Sequence, residues 1–195
     1  LATSPGDCRR ILDAERLNGA RTLLGFVLRS TPFYAKIHEL LAGGAIGRVL
    51  SIQADELPGL GVSGIMTRSP WRRYTQYSGG SMLEKSCHDM DILNWMMNSR
   101  PVSLSSVGGT RMFGPNPYLP ESCEGCPVGD TCHYYKRPAA SAHEDQAEAD
   151  MHRYIREQDR CVFNVDKDIA DVQSVSLEYE NGGVANFMLN FHALG

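Results

Sequence analysis

The sequence has little that would let it grip nucleic acid, cross a membrane or fold around disulfides. Its 195 residues carry 19 lysines and arginines against 23 aspartates and glutamates, a net charge of −4. That balance offers no broad positive field for nucleic acid or anionic lipid. No apolar run approaches the roughly 20 residues of a membrane-spanning helix, and no secretory signal opens the chain. With ordinary globular composition and six cysteines, we expect a cytoplasmic protein that folds without disulfides.

The order of helix and strand signals predicts one α/β unit followed by an α+β fold. Ser4–Gly19 is predicted as a helix and Thr22–Leu28 as a strand buried on both faces, typical of a parallel α/β sheet. A second helix is predicted over Thr31–Gly43. Further strands are predicted at Val49–Ala54, Pro101–Gly108, Val172–Glu180 and Val184–Phe191. The last two flank Asn181–Gly182, a strong hairpin signal, so we expect an open, mostly antiparallel sheet packed with helices.

The domain interpretation divides the chain at residue 29. Residues 1–29 are interpreted as the remnant of a dinucleotide-binding domain, and residues 30–195 as an α+β domain for substrate binding and oligomerisation. The segment Leu57–Ser78 is predicted as a long loop, and residues 114–161 as a cysteine-rich insertion. Within it, Ala139–Gln158 is interpreted as a surface helix or an excursion. Both ends of the chain are interpreted as cuts through a longer protein.

The stretch GGSMLEKSCHDMDILNW contains the strongest candidate for chemistry. A helix over Ser81–Met97 would place Glu84, His88, Asp91 and Trp95 on one face. A carboxylate one turn before a histidine can hold its ring and select its tautomer. The paired Gly79 and Gly80 would allow close approach at the helix entrance. The alternative is a helix with ordinary surface pairs at this spacing.

A second candidate is the cluster Cys123-x2-Cys126-x5-Cys132, followed by Cys161. Two sulfurs at this spacing can reach one tetrahedral ion, and two later ligands complete a structural zinc site. His133 is the alternative fourth ligand. Free thiols, a disulfide and an iron–sulfur site remain open alternatives.

Several segments resemble the Gfo/Idh/MocA family of NAD(P)-dependent dehydrogenases, named after glucose-fructose oxidoreductase and inositol dehydrogenase. The paired glycines, Glu84, His88 and Asp91 fall on the family's Gly-Gly, acid, histidine and acid positions. GFVLRSTPFY resembles the entry to its second domain, with Arg29 and Pro32 in the matching places. AGGAIGRVLSIQAD and SPWRRY resemble the start of its large sheet and its Trp-Arg loop. This sequence departs from the family pattern at Glu84, where Asp is more usual, and at Lys85, where the family commonly has an apolar residue.

The resemblance implies an oxidoreductase that transfers hydride between NAD or NADP and a sugar, polyol or related secondary alcohol. It implies that His88 and Glu84 are catalytic, and that Asp91, Arg72, Lys85 and Arg29 contact substrate. Trp71 and Arg73 are expected at the cofactor. For Lys85 a salt bridge is the alternative, and for the Trp-Arg loop a purely structural role.

The resemblance also bears on what this chain does alone. The Gly-x-Gly-x-x-Gly fingerprint is expected to be absent from this chain, with no strand–turn–helix unit that contains it, and the family's Glu-Lys-Pro lysine would precede Leu1. We therefore expect the isolated chain to bind dinucleotide weakly and to be inactive. Homo-oligomerisation through the open sheet is expected. The alternative function is a non-catalytic, zinc-stapled association domain.

Overall fold

The structure is a computed structural model that describes residues 2–136 and 159–192. The α-helices are α1 (Pro5–Asn18), α2 (Pro32–Ala42), α3 (Leu60–Arg68), α4 (Thr75–Ser78), α5 (Ser81–Glu84) and α6 (Cys87–Met97). The strands are β1 (Ser51–Glu56), β2 (Pro101–Gly109), β3 (Val172–Tyr179) and β4 (Val184–Asn190). Two 3₁₀ helices cover Val27–Ser30 and Gly129–Thr131. The prediction for Ala139–Gln158 lies outside the described residues.

The four strands form one open sheet in the order β1-β4-β3-β2, so the predicted α+β class is confirmed. Alternation along β3 and β4 buries one side chain in two, as expected for a sheet with one covered face. The inward residues are Val175, Leu177, Tyr179, Ala185, Phe187 and Leu189. The predicted hairpin is present: the amide of Tyr179 donates to the carbonyl of Gly183 at 2.9 Å, and Gly182 has φ 78°.

The chain divides into two compact units that interleave along the sequence. Among the described residues, the first unit contains 2–56, 82–107 and 174–188. In it, α6 packs against α2, β1 and the 3₁₀ helix Val27–Ser30, and buries Ile92, Leu93, Met96 and Met97. The residues that begin its N-terminal helix are those that favour a helix start: Ser4 caps the helix and Pro5 lies in the first turn.

Among the described residues, the second unit contains 57–81, 108–136, 159–173 and 189–192. Its aromatic core brings Phe113 edge-on to Tyr134 and Phe163, at centroid distances of 5.0 and 5.8 Å. The buried Asp171 accepts backbone N–H bonds from Arg111, Met112 and Phe113 at 2.6, 2.9 and 2.6 Å. The predicted boundary at residue 29 stays a prediction.

The predicted strand Thr22–Leu28 is wrong. Residues 20–26 have no regular structure, and Val27–Ser30 forms a 3₁₀ helix in which no residue is buried. A strand needs a neighbour to receive its backbone hydrogen bonds, and no described strand lies beside this segment. Leu23 is accordingly 92% exposed rather than buried on both faces.

The prediction of an uninterrupted loop over Leu57–Ser78 is also wrong, because it contains α3 and α4. Three glycines within residues 59–64 suggested a loop, but tertiary packing overrides that preference. Ser63, Gly64, Met66, Thr67 and Arg68 are buried in α3. A Cβ on Gly64 would lie 2.6 Å from Arg68 Nη1, so a side chain there would have to displace the buried guanidinium of Arg68.

Candidate active site

The predicted helix Ser81–Met97 is interrupted, which changes the relation of Glu84 to His88. The segment forms α5 and α6, separated by Lys85 and Ser86. Ser86 leaves the helical region at φ −88° and ψ 7°, and α6 restarts when the amide of Met90 donates to the carbonyl of Ser86 at 2.9 Å. His88, Asp91 and Trp95 therefore share one helix, whereas Glu84 does not share it with them. The single face predicted for all four residues is wrong in that respect.

The entrance to this segment has the backbone expected of the glycine pair. Gly79 has φ 77° and Gly80 has φ 89°, values that L side chains rarely adopt. An added Cβ at Gly80 would meet no atom within 4 Å. Backbone conformation rather than crowding therefore requires glycine at Gly80.

His88 lies in the first turn of α6 with an unsatisfied ring nitrogen. Its Nδ1 is buried and has no hydrogen-bond partner among the described residues. The ring of Phe26 stands edge-on to the imidazole, with centroids 5.8 Å apart and an interplanar angle of 80°. One side of the imidazole is thus held by an apolar contact, and the nitrogen remains able to accept or donate a proton.

A charged cluster beside His88 was not found by the sequence analysis. Lys85 Nζ lies 2.6 Å from Glu56 Oε1, and both side chains are about three-quarters buried. Asp89, the neighbour of His88, has a buried Oδ2 without a hydrogen-bond partner among the described residues. Burial, reinforced by the Glu56 carboxylate, raises the pKa of Asp89 to about 6, against the opposing pull of Lys85 and His88. Two features of the sequence could have indicated this cluster: Lys85 and Asp89 are at i, i+4 spacing, and Asp89 directly follows His88.

Arg29 and Asp91, both predicted to contact substrate, bind each other. Arg29 Nε and Nη2 each donate to a carboxylate oxygen of Asp91 at 2.6 Å. This fork geometry joins the 3₁₀ helix to α6. Arg29 also lies over the ring of Trp95 at 5.4 Å, and His38 stacks on that ring at 4.0 Å. Both carboxylate oxygens of Asp91 accept hydrogen bonds from Arg29, so in this structure Asp91 serves to hold α6 in place.

The predicted loop residues Trp71, Arg72 and Arg73 lie in the second unit. The guanidinium of Arg72 lies over the ring of Trp71 at 4.4 Å, and Trp71 is 42% exposed. Arg73 is buried and its Nη1 donates to the carbonyl of Arg68 at 2.7 Å. Trp71 is thus partly accessible to solvent, whereas one end of the Arg73 guanidinium donates to the backbone.

The cysteine cluster contains the tight turn that its spacing predicted. The amide of Cys126 donates to the carbonyl of Cys123 at 3.2 Å, and Gly125 has φ 66°. A short antiparallel bridge between Ser122 and Arg160 brings Cys161 into the same region. Cys123 and Cys161 are buried.

The zinc site predicted for Cys123, Cys126, Cys132 and Cys161, or with His133, is not supported. Across residues 2–136 and 159–192, no three His, Cys, Asp or Glu side chains are placed to hold a metal ion. A cation is already present: Arg68 is 1% exposed, and its Nη2 lies 4.0 Å from Cys123 Sγ. A fixed guanidinium beside the thiols opposes a second, doubly charged cation by direct repulsion.

The Gly-x-Gly-x-x-Gly spacing does occur in the sequence, contrary to the expectation that the fingerprint is missing. Gly59, Gly61 and Gly64 have this spacing, after β1 and at the start of α3. The dinucleotide-binding context is a βαβ unit whose two strands are parallel neighbours. Here β1 is one edge of the sheet and the next strand in sequence, β2, is the other edge. The spacing therefore lacks the fold that makes it a phosphate site.

Comparison with known proteins agrees with the architecture. Residues 34–195 match the GFO/IDH/MocA C-terminal domain. The chain belongs to this family of oxidoreductases. The resemblance seen in the sequence is thereby confirmed.

Individual Gfo/Idh/MocA relatives are similar at low to moderate identity. YteT of Bacillus subtilis (strain 168), named as an oxidoreductase, is 31% identical over 210 residues, covering 99% of this chain and 48% of YteT. An inositol 2-dehydrogenase of Acidothermus cellulolyticus is 28% identical over 120 residues, covering 61% of this chain and 32% of that protein. The WlbA dehydrogenase from Bordetella pertussis, solved with NADH and UDP-GlcNAcA, has a TM-score of 0.59 at 13% identity. That match covers 98% of this chain and 43% of WlbA, and it shows the fold alone.

This chain spans less than half the length of each of these three proteins. Among the residues that the structure describes, no helix is long and apolar enough to cross a membrane.

Proposed function

We propose that this chain is part of an NAD(P)-dependent oxidoreductase that acts on a secondary hydroxyl of a sugar or polyol. The observation that carries the proposal is His88, whose buried Nδ1 has no partner among the described residues, in a family of oxidoreductases. The names of the inositol dehydrogenase and of WlbA with its NADH and UDP-GlcNAcA support the substrate and cofactor class.

The residues of this chain fit the part of an enzyme that binds the reacting alcohol and nicotinamide, rather than the part that binds the phosphates of the dinucleotide. The Nδ1 atom of His88 has no hydrogen-bond partner among the described residues, so it can exchange a proton with an alcohol. The glycine spacing at Gly59 lacks the parallel βαβ context of a phosphate site. The nicotinamide, when bound, supplies the hydride acceptor or donor. We propose that its phosphates are held mainly outside this chain, so the chain alone binds dinucleotide weakly.

In the proposed mechanism, His88 takes the hydroxyl proton as the alcohol is oxidised and returns it in the reverse reaction. Glu84 sits in α5, two residues before the restart at Ser86, and would contact substrate or orient the imidazole. Arg29 and Asp91 would keep α6 in position through their paired hydrogen bonds. Lys85 would contact substrate hydroxyls. The substrate role of Arg72 and the cofactor roles of Trp71 and Arg73 stay predictions of the sequence resemblance.

The test uses the full-length protein with NAD or NADP and a panel of polyols and sugars. His88→Ala should lower kcat by about 10²–10⁴-fold, the range for a lost general acid or base. The matched control is His133→Ala, because His133 is exposed and lies in the second unit. Unchanged turnover of His88→Ala on a substrate that the wild type oxidises would remove His88 from the mechanism.

Association through the open sheet is a second proposed property. The edge strand β2 is exposed along almost its whole length, and Val102, Leu104 and Val107 are 59%, 63% and 68% exposed. Apolar side chains on an open edge favour cover by another sheet surface, here proposed as a second copy. Leu104→Lys should shift the sedimentation coefficient toward the monomer. An unchanged sedimentation coefficient would remove β2 from the interface.

A further inference from the structure

Asp89 is the ionisable group nearest in sequence to His88, and the proposed mechanism does not use it. It occupies the third position of α6, after Cys87 and His88. An aspartate in a first helical turn often does no more than complement the helix dipole. Two features of Asp89 differ from that role. Its Oδ2 is buried without a hydrogen-bond partner among the described residues, and the charged pair of Lys85 and Glu56 lies within electrostatic reach.

The charges around Asp89 come from each neighbouring element. Glu56 ends β1, Lys85 lies in the link before α6, and His88 precedes Asp89 on α6. Glu56 disfavours the ionised form of Asp89, whereas Lys85 and a charged His88 favour it. Arg29 and His38 meet α6 farther along, at Asp91 and Trp95. Glu84 and Cys87 are the other titratable groups in this part of the chain, and burial raises the pKa of the Cys87 thiol.

An unpaired buried carboxylate oxygen is costly, and such groups concentrate at functional sites. Lys85 has one carboxylate partner at 2.6 Å, so a second carboxylate nearby is not needed to satisfy its charge. The cluster therefore contains one more negative charge than ion pairing requires. A histidine that must receive a proton from an alcohol is helped by an adjacent negative charge, because that charge attracts the imidazolium.

We propose that Asp89 is a positioning residue that acts through His88: the carboxylate of Asp89 stabilises the protonated imidazole of His88. This inference rests on the proposed function of His88. Protonation of Asp89 removes the effect, so activity that depends on it is lost as the pH falls through about 6. The sign follows because the charged form of Asp89 is the helpful one and is populated above its pKa.

The test compares kcat of wild type and Asp89→Asn in the full-length protein from pH 5 to pH 8. At pH 8 the wild type should be faster by about tenfold, the effect of one pK unit of lost stabilisation, with KM changed less than about twofold. At pH 5 the two rates should converge, because a protonated Asp89 and the asparagine that replaces it are both neutral. Asp89→Glu, which keeps the charge, should follow the wild type across the range.

The matched control is Asp55→Asn, because Asp55 is an exposed carboxylate on β1. Its rate ratio to wild type should be flat with pH. A pH-independent ratio for Asp89→Asn would overturn the inference and leave a structural role. If Asp89→Asn does not fold, a rate ratio of Asp89→Glu to wild type that is well below one at pH 8 would overturn the inference equally, because that variant keeps the charge. Full turnover by His88→Ala would instead defeat the proposed function, whatever Asp89→Asn shows.

Discussion

Removing the charge of Asp89 should stabilise the fold at alkaline pH, although it lowers activity there. The carboxyl has its pKa raised from 3.8 to about 6, so the folded state holds the proton more tightly than the unfolded chain. Below pH 3.8 both states are protonated and the group costs nothing. Between pH 3.8 and about 6 the cost of ionising it in the fold accumulates, and above 6 it is fully present.

The magnitude follows from that gap in pKa. A difference of about two units corresponds to roughly 3 kcal/mol at most. Asp89 is only half-buried, and solvent screens a group of that exposure, so about 1–1.5 kcal/mol is expected. Asp89→Asn should therefore raise the free energy of unfolding by about this amount at pH 8 and by much less at pH 4.

The assay is urea denaturation of wild type, Asp89→Asn and Asp55→Asn at both pH values, followed by circular dichroism. Asp55→Asn should stay within about 0.5 kcal/mol of wild type throughout, as expected of a surface change. A loss of stability in Asp89→Asn that is equal at pH 4 and pH 8 would refute the reasoning. It would show that Asp89 acts as an ordinary acid in the first turn of a helix.

Two further predictions concern contacts that hold the fold around the site. Asp171→Asn should lower the free energy of unfolding by about 2–4 kcal/mol, because three backbone amides lose a buried, charged acceptor. The exposed Asp166, bonded to Tyr74, is its control, and an equal loss in Asp166→Asn by urea denaturation would contradict this account. Arg29→Met and Asp91→Asn should show a coupling of about 1 kcal/mol in a double-mutant cycle, discounted because Arg29 is 43% exposed. Additive losses would mean that the two forked hydrogen bonds contribute nothing net.

Local patterns predicted much of the fold. The Ser4–Pro5 cap, the apolar stripe of α2 and the Asn-Gly hairpin are encoded within a few residues, and the structure has all three elements close to the predicted bounds. Thr22–Leu28 failed because an apolar run of strand length becomes a strand only where another strand pairs with it. The error at α3 had the opposite sign: a loop was predicted and a helix is present, because burial of side chains within residues 63–68 outweighs the glycines that suggested a loop.

The candidate site divides in the same way between local and long-range information. His88 and the glycine pair lie within one short segment, so their spacing marked them. The Lys85–Glu56 contact joins positions 29 residues apart, and Asp91 meets Arg29 from 62 residues away. Both contacts depend on where β1 and the 3₁₀ helix pack against α6. The family resemblance implied substrate contact for Asp91 and Arg29, and nothing local to either position indicated that the two side chains bind each other. Asp89 was overlooked because its charged surroundings are also long-range: Glu56 lies near the start of α6 only because β1 packs against that helix.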